Sequence, residues 1–455
     1  MGGKDGEEED IAVTRFREYL RVNTEQPTPD YCSFFLVQAM VVFERATIPD
    51  GCRDFLLSYA KELGFKGTST EPVKGKPAVV WTLEGQEPSL PSLVLYSHTD
   101  VVPTYKVHRL LSPPISSVIV VCPFQDKWSH DPYAAVKDAR GRIYGRGAQD
   151  MKCVGIQYAE AIRRLRADKK TPFLRTVHLI WGPDEEIGGG DGMAAFVQTP
   201  EWKALNAGFV LDEGIASETG VYKVFYGERA PWWVKVIAHG NNGHGSKFIE
   251  NTAAEKIQSV INSALAFRTA QKAKLAADPK LTIGDVTSLN LTKLEGGVQI
   301  NVVPDELSIS FDIRVTPADE YADIEKMLEG WAKAAGPDVS IVYLEVIKMW
   351  NAQRVCIQKT LNKSLTSTNR ADNPWFGIIE DVFQANGIQF TKEVFTGATD
   401  SRYFRESGIP SIGFSPMVNT PSLLHDHDEY LTEDEFLRGL AIYAKLLPAL
   451  ANFRL

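Results

Sequence analysis

The stretch Leu93-Val94-Leu95-Tyr96-Ser97-His98-Thr99-Asp100-Val101-Val102-Pro103 joins an apolar run to a histidine and a carboxylate two residues apart. Four consecutive apolar residues followed by polar ones have the character of a strand buried on both faces. In open α/β sheets, ligands gather beyond the carboxyl ends of such strands. A histidine that ligates zinc holds one ring nitrogen toward the metal, and an acidic neighbour can take the other N–H and fix the tautomer. His98 and Asp100 suit those two roles. Read alone, the stretch also fits an imidazole hydrogen-bonded at the end of a strand.

Outward from this nucleus, strand-like runs are expected over 78–83 and 176–181, and helix-like spacing over 13–22 and 156–165. Apolar strands alternating with helices predict an α/β fold with a mostly parallel sheet. His98, Glu185 and Glu213 each follow a strand-like run, where that architecture puts its ligands. From Arg229 the texture changes. Trp232-Trp233-Val234-Lys235-Val236-Ile237-Ala238 alternates like a sheet strand, a helix pattern covers 252–272, strands cover 287–294 and 306–315, and a helix and a strand follow over 318–335 and 339–344. That β-α-β-β-α-β order predicts an inserted α+β, ferredoxin-like domain serving as lid and dimerisation unit. The α/β pattern resumes through 375–386, 409–414 and 433–450, so the catalytic domain is expected to be discontinuous: 11–228 and 347–455, with the insert at 229–346. Three stretches, 33–51, 107–126 and 355–370, sit outside this plan and read as added loops.

At 455 residues the chain exceeds what one core supports, which also points to at least two domains. With 44% hydrophobic and 24% charged residues its composition is that of a globular protein, and no run approaches the roughly 20 apolar residues of a membrane helix. The net charge of −9 (49 basic, 58 acidic) argues against a general nucleic-acid surface. The five cysteines are odd in number and scattered without CxxC spacing, so neither a disulfide framework nor a thiolate zinc site is indicated. An acidic beginning without an apolar core completes the expectation of a cytoplasmic protein.

Trp181-Gly182-Pro183-Asp184-Glu185-Glu186-Ile187-Gly188 sets consecutive acids after a strand. Adjacent carboxylates repel, and are accommodated when one binds a cation while its neighbour acts as general base. Leu211-Asp212-Glu213-Gly214 and Leu424-His425-Asp426-His427-Asp428 supply further oxygen and nitrogen donors of the kind zinc accepts. Trp128-Ser129-His130-Asp131-Pro132 and Tyr144-Gly145-Arg146-Gly147-Ala148-Gln149-Asp150-Met151-Lys152 complete the set.

In these motifs and their order the chain resembles the co-catalytic zinc family of amidohydrolases and metallopeptidases, which includes carnosine dipeptidases and bacterial desuccinylases. The resemblance runs through almost everything outside the three added stretches. It implies two zinc ions per subunit, one held by His98 and Glu213 and the other by Glu186 and His425, with Asp131 bridging both; the Asp131-Pro132 bond is expected to be cis. It implies Glu185 as general base on a metal-bridging water and Asp100 as the residue that orients His98. From the inserted domain it implies His244 as an oxyanion donor reaching the partner subunit of a homodimer. Asn301 and Arg314 stand over the substrate, with Arg402 as a second candidate for its carboxylate. The expected reaction is hydrolysis of N-acyl-L-amino acids to a carboxylate and a free L-amino acid. A metallodipeptidase on the same scaffold is the alternative within catalysis, and a non-catalytic binding protein the alternative outside it, if 107–126 disables the site.

Overall fold

The computed structural model describes residues 9–30, 51–104, 127–344, 347–350, 353–356 and 365–454. The segment 107–126, most of 33–51 and part of 355–370 lie outside the described residues, as do Cys32, Cys122 and His108. The chain forms two compact units: one contains the residues up to Val224 with Ser367–Thr391 and the segment from Ser407, the other Phe225–Thr366 with Lys392–Glu406.

The first unit is built on the strands Lys66–Val73, Lys76–Leu83, Val177–Gly182, Ser92–His98, Ala207–Asp212 and Ser411–Gly413, which neighbour one another in that order in one sheet. Strand Ser92–His98 is buried along its whole length, as its apolar run requires. It pairs in parallel with Val177–Gly182 on one side and Ala207–Asp212 on the other. His98 is in register with Gly182, and Leu95 with Leu211, so the segments carrying His98, Glu185, Glu186 and Glu213 all leave the same edge of the sheet. Helix Lys152–Ala167 lies so close to this layer that a Cβ on Gly155 would stand 2.3 Å from Trp181 Cζ3 and 2.8 Å from Ser97 Oγ. The closing helix Glu433–Asn452 packs on the same face, with Tyr443 4.5 Å from Tyr158 and Phe436 stacked 4.6 Å from Phe16.

The second unit carries a four-stranded antiparallel sheet in the order Ser288–Gly296, Glu306–Val315, Ala230–His239, Val339–Tyr343. Helices Ala253–Ala277 and Tyr321–Ala335 complete the β-α-β-β-α-β succession. Alternation places Trp232 in its core and leaves Trp233 exposed, so the tryptophan pair marks the two faces of one strand. Thr252 and Glu255 form a reciprocal capping box at the start of the longer helix. No helix among the described residues is long and apolar enough to cross a membrane.

Candidate metal centre

Beyond the carboxyl edge of the parallel strands, two groups of metal-competent side chains share one member. His98, Asp150 and Glu213 form the first and Asp150, Glu186 and His425 the second, with the donor atoms of each group within 4.8 Å of one another. Asp150 is the hinge of the arrangement. Its Oδ1 lies 3.0 Å from His98 Nε2 and its Oδ2 3.4 Å from His425 Nε2. Glu213 Oε2 stands 3.6 Å from His98 Nε2, and Glu186 Oε2 3.2 Å from His425 Nε2.

The shared carboxylate is therefore Asp150, and the expectation for Asp131 is corrected. Asp131 is exposed, and its Oδ1 accepts the Tyr133 backbone N–H at 2.9 Å, turning its own loop. The Asp131-Pro132 bond is not among the cis peptides either; among the described residues those are Gln26-Pro27, Asp150-Met151 and Thr171-Pro172.

Asp100 also differs from expectation. His98 Nδ1 is 2.9 Å from the Asp100 backbone carbonyl, which can only accept, so Nδ1 carries a proton and Nε2 is turned to the cluster. The Asp100 carboxylate, 3.8 Å from Nδ1, accepts the backbone N–H groups of Glu185 at 3.1 Å and Glu186 at 3.2 Å. Asp100 thus holds the histidine through its backbone carbonyl and the acidic turn through its carboxylate. Gln26, which sequence reasoning passed over, donates from Nε2 to both Asp100 (2.9 Å) and Asp184 (3.0 Å), and Lys76 adds its ammonium 2.7 Å from Asp184. The turn is tight: Asp184 is left-handed at φ 64°, and Gly188 ends the short helix Glu185–Ile187 at φ 95°, a conformation that favours glycine. Glu185 is buried beside Glu186 in this turn and belongs to neither three-membered cluster.

The electrostatics suit a cation. Burial disfavours the charged form of His98, yet Glu213 and Asp150 outweigh it and hold its pKa well above the usual imidazole range. Asp150 and Glu186 likewise raise His425, to about 10. Burial and the Asp150 charge push Glu186 up to about 7 and Glu213 well above the ordinary carboxylate range, while Asp150 itself is lowered by its two histidines against the cost of its burial. Three crowded carboxylates thus lean on two imidazolium protons for compensation. Divalent cations on the same five side chains would supply that charge directly, with a nitrogen and oxygen donor set of the type zinc takes.

The candidates from the inserted region all lie in the second unit. Strand Gly243–His244 pairs with Val302–Val303, and Gly245 donates its N–H to the Asn301 carbonyl at 2.8 Å, so His244 and Asn301 stand together at one exposed tip. Arg314 holds Asp312 in a two-point ion pair at 2.8 and 3.1 Å, and Arg402 is buried with its guanidinium 5.0 Å from the Tyr403 ring centroid. His427 lies outside both clusters, 6.2 Å from Trp128. Cys153 is buried, and burial pushes its thiol well above its ordinary pKa, which removes it as a nucleophile.

A parallel-sheet edge that presents two carboxylate–histidine clusters sharing one aspartate is suited to a metal-dependent hydrolase, and the chain belongs to the peptidase family M20/M25/M40, which matches residues 94–449. It is 45% identical to aminoacylase-1 of Homo sapiens over 452 residues, covering 99% of this chain and 98% of that one. In fold it is similar to an M20 family metallo-carboxypeptidase, Sso-CP2, from Sulfolobus solfataricus, with a TM-score of 0.66 and 16% identity over 97% of this chain and 99% of the other. It is also similar to the Bacillus subtilis YXEP protein, described as a dinuclear metal-binding peptidase of the M20 family, with a TM-score of 0.60 and 14% identity over 97% and 98% of the two chains.

Proposed function

We propose that this metal-dependent amidohydrolase cleaves N-acyl-L-amino acids to a carboxylate and a free L-amino acid, using two zinc ions per subunit. The reading is supported by near end-to-end similarity to aminoacylase-1. The observation that carries its chemistry is the division of the Asp150 oxygens between the His98–Glu213 and Glu186–His425 pairs. When bound, the metals supply Lewis-acid polarisation of the acyl carbonyl and a lowered pKa for the attacking water.

Five side chains of the first unit would hold that pair: His98 and Glu213, Glu186 and His425, and the Asp150 shared by both clusters. Glu185, kept in place by the bonds from its own and its neighbour's N–H to Asp100, takes the proton of the attacking water as the new C–O bond forms. It returns that proton to the leaving nitrogen as the C–N bond breaks, and the water's second proton also ends on that nitrogen, so a carboxylate and an ammonium depart and Glu185 is restored. His244 donates to the developing oxyanion, while Arg314 and Arg402, assisted by Asn301, grip the substrate carboxylate.

A homodimer that carries His244 into the partner's site accounts for the second unit. Phe248, Val298 and Ile300 beside His244 and Asn301 are almost fully exposed, which a solitary subunit has no reason to maintain. A cytoplasmic location completes the proposal. A panel of N-acetyl-L-amino acids against unmodified dipeptides, with zinc-loaded and chelator-stripped protein, tests it. Zinc-dependent turnover of the acetylated compounds is expected. Preference for dipeptides would assign the scaffold to a dipeptidase, and no turnover of either would leave a binding protein.

A further inference from the structure

Two loops of the first unit carry the parts of the metal centre that the parallel strands do not: 145–151 bears Asp150, and 421–430 bears His425. They are tied by side chains pointing in both directions. From the second loop, the fully buried Glu429 sends its carboxylate into the first, where Oε1 accepts the N–H groups of Gln149 (2.7 Å) and Asp150 (3.2 Å) and Oε2 accepts Gly147 N–H (3.1 Å) and Arg146 Nη1 (2.9 Å). From the first loop, buried Gln149 spans the second: its Oε1 accepts Leu423 N–H at 3.0 Å, and its Nε2 donates to the Pro421 and Tyr430 carbonyls at 3.0 and 2.8 Å. Arg146 adds a bond from Nη1 to the Asp426 carbonyl, next to His425.

We propose that these contacts form a reciprocal latch in which Glu429 is the positioning residue for Asp150 and Gln149 the positioning residue for His425, so that the shared carboxylate and the most exposed ligand are set together. An exposed imidazole on a left-handed residue at φ 63° has little packing of its own to hold it, and the amide of Gln149 supplies that hold. Glu429 is suited to its part because one carboxylate presents enough lone pairs for four converging donors, which a neutral amide does not. The inference rests on the dinuclear reading of the site.

Titration of chelator-stripped full-length protein with Co2+, followed by its visible d–d absorption and by calorimetry, separates the two readings. The wild type is expected to take two equivalents. Gln149→Ala is expected to keep one equivalent at wild-type affinity and to weaken the other about 10–100-fold, because only the Glu186–His425 side loses its support. Glu429→Gln is expected to weaken both by about tenfold or more, since Asp150 serves both. If that variant does not fold, Gln149→Ala decides alone, since it leaves the buried Arg146–Glu429 pair intact. Variants that lose thermal stability while keeping wild-type Co2+ stoichiometry, affinity and spectrum overturn the latch, as does equal weakening of both equivalents in Gln149→Ala. Fewer than two equivalents in the wild type would instead overturn the dinuclear reading, and the latch with it.

Discussion

Asp150 divides its carboxylate between two histidines from distant parts of the chain, 3.0 Å from His98 and 3.4 Å from His425. A group placed in this way cannot be lost from one cluster alone. Asp150→Ala is therefore expected to depress the affinity for both metals by more than the roughly 10–100-fold typical of losing an outer hydrogen-bond partner, and to take activity to the assay floor. Asp131→Ala, at an exposed loop position, is expected to keep metal content and turnover within roughly the twofold scatter of a surface change, well under 1 kcal/mol. Metal analysis of the two purified variants checks the contrast, and metal loss confined to Asp131→Ala would reverse the assignment.

The adjacent acids of the turn should separate by phenotype. Glu185→Gln preserves shape and removes the proton acceptor, so kcat should fall by about 10²–10⁴ with both metals retained. Glu186→Gln should lose metal first and activity as a consequence. Near-normal turnover in Glu185→Gln, measured with saturating metal and substrate, would remove Glu185 from the chemistry. Full metal occupancy in Glu186→Gln would exchange the two roles.

A pH effect is expected far from the chemistry, at His178. Its Nε2 is 3.2 Å from the Leu205 carbonyl and its Nδ1 3.0 Å from Thr82 Oγ1, so the neutral ring donates to the carbonyl and accepts from the hydroxyl. Burial pushes its pKa down to about 4, against about 6.5 for an unfolded histidine. Between those values the unfolded chain binds a proton that the native state refuses. Stability therefore falls as pH drops from about 6.5 to about 4, by an amount on the order of 3 kcal/mol, and this contribution is constant above that window. Urea unfolding at pH 7 and pH 4.5 should show a smaller loss for His178→Gln than for the wild type, and equal losses would sink the claim.

Helix Lys152–Ala167 depends on the absence of a side chain at Gly155, where a Cβ would stand 2.3 Å from the Trp181 ring. Because Trp181 precedes the acidic turn by three residues, pushing it aside disturbs both core and site. Gly155→Val is expected to cost at least about 1–3 kcal/mol of stability, the usual range for overpacking. Thermal unfolding of the metal-free protein measures it, and an unchanged Tm would mean that the layers can separate at no cost.

The parts of this architecture legible in the sequence are those that burial writes into composition. The run Leu93-Val94-Leu95-Tyr96 had to be an interior strand, and the acids after neighbouring runs had to leave the same sheet edge. Strand Lys66–Val73 was invisible for the converse reason: on the sheet's edge it is mostly exposed and polar, and backbone pairing with Lys76–Leu83 makes it a strand. The resemblance implies Asp131 where the structure brings Asp150 to the clusters, and what distinguishes the two is long-range. Asp150 is delivered to the cluster by Glu429, some 280 positions away, and no local pattern records that bond. The role of Asp100 was half legible, since its backbone carbonyl rather than its carboxylate meets His98.

The proposed passage of His244 into a partner's site carries the most demanding consequence. His244 sits on the two-residue strand Gly243–His244, with its Nδ1 2.8 Å from Ser246 Oγ, at a tip bordered by the exposed Phe248 and Ile300. A donor aimed at a developing oxyanion contributes about 10²–10³ to kcat, so His244→Asn and Glu185→Gln should each be nearly inactive as homodimers. Mixed and allowed to exchange, they form a heterodimer in which one site combines the intact Glu185 of the first subunit with the intact His244 of the second. The other site carries both defects. Activity approaching half of the wild-type value per heterodimer should then reappear, and mass spectrometry of the mixture reports how much heterodimer is present. Exchange without recovered activity would mean that His244 acts within its own chain or has no part in catalysis.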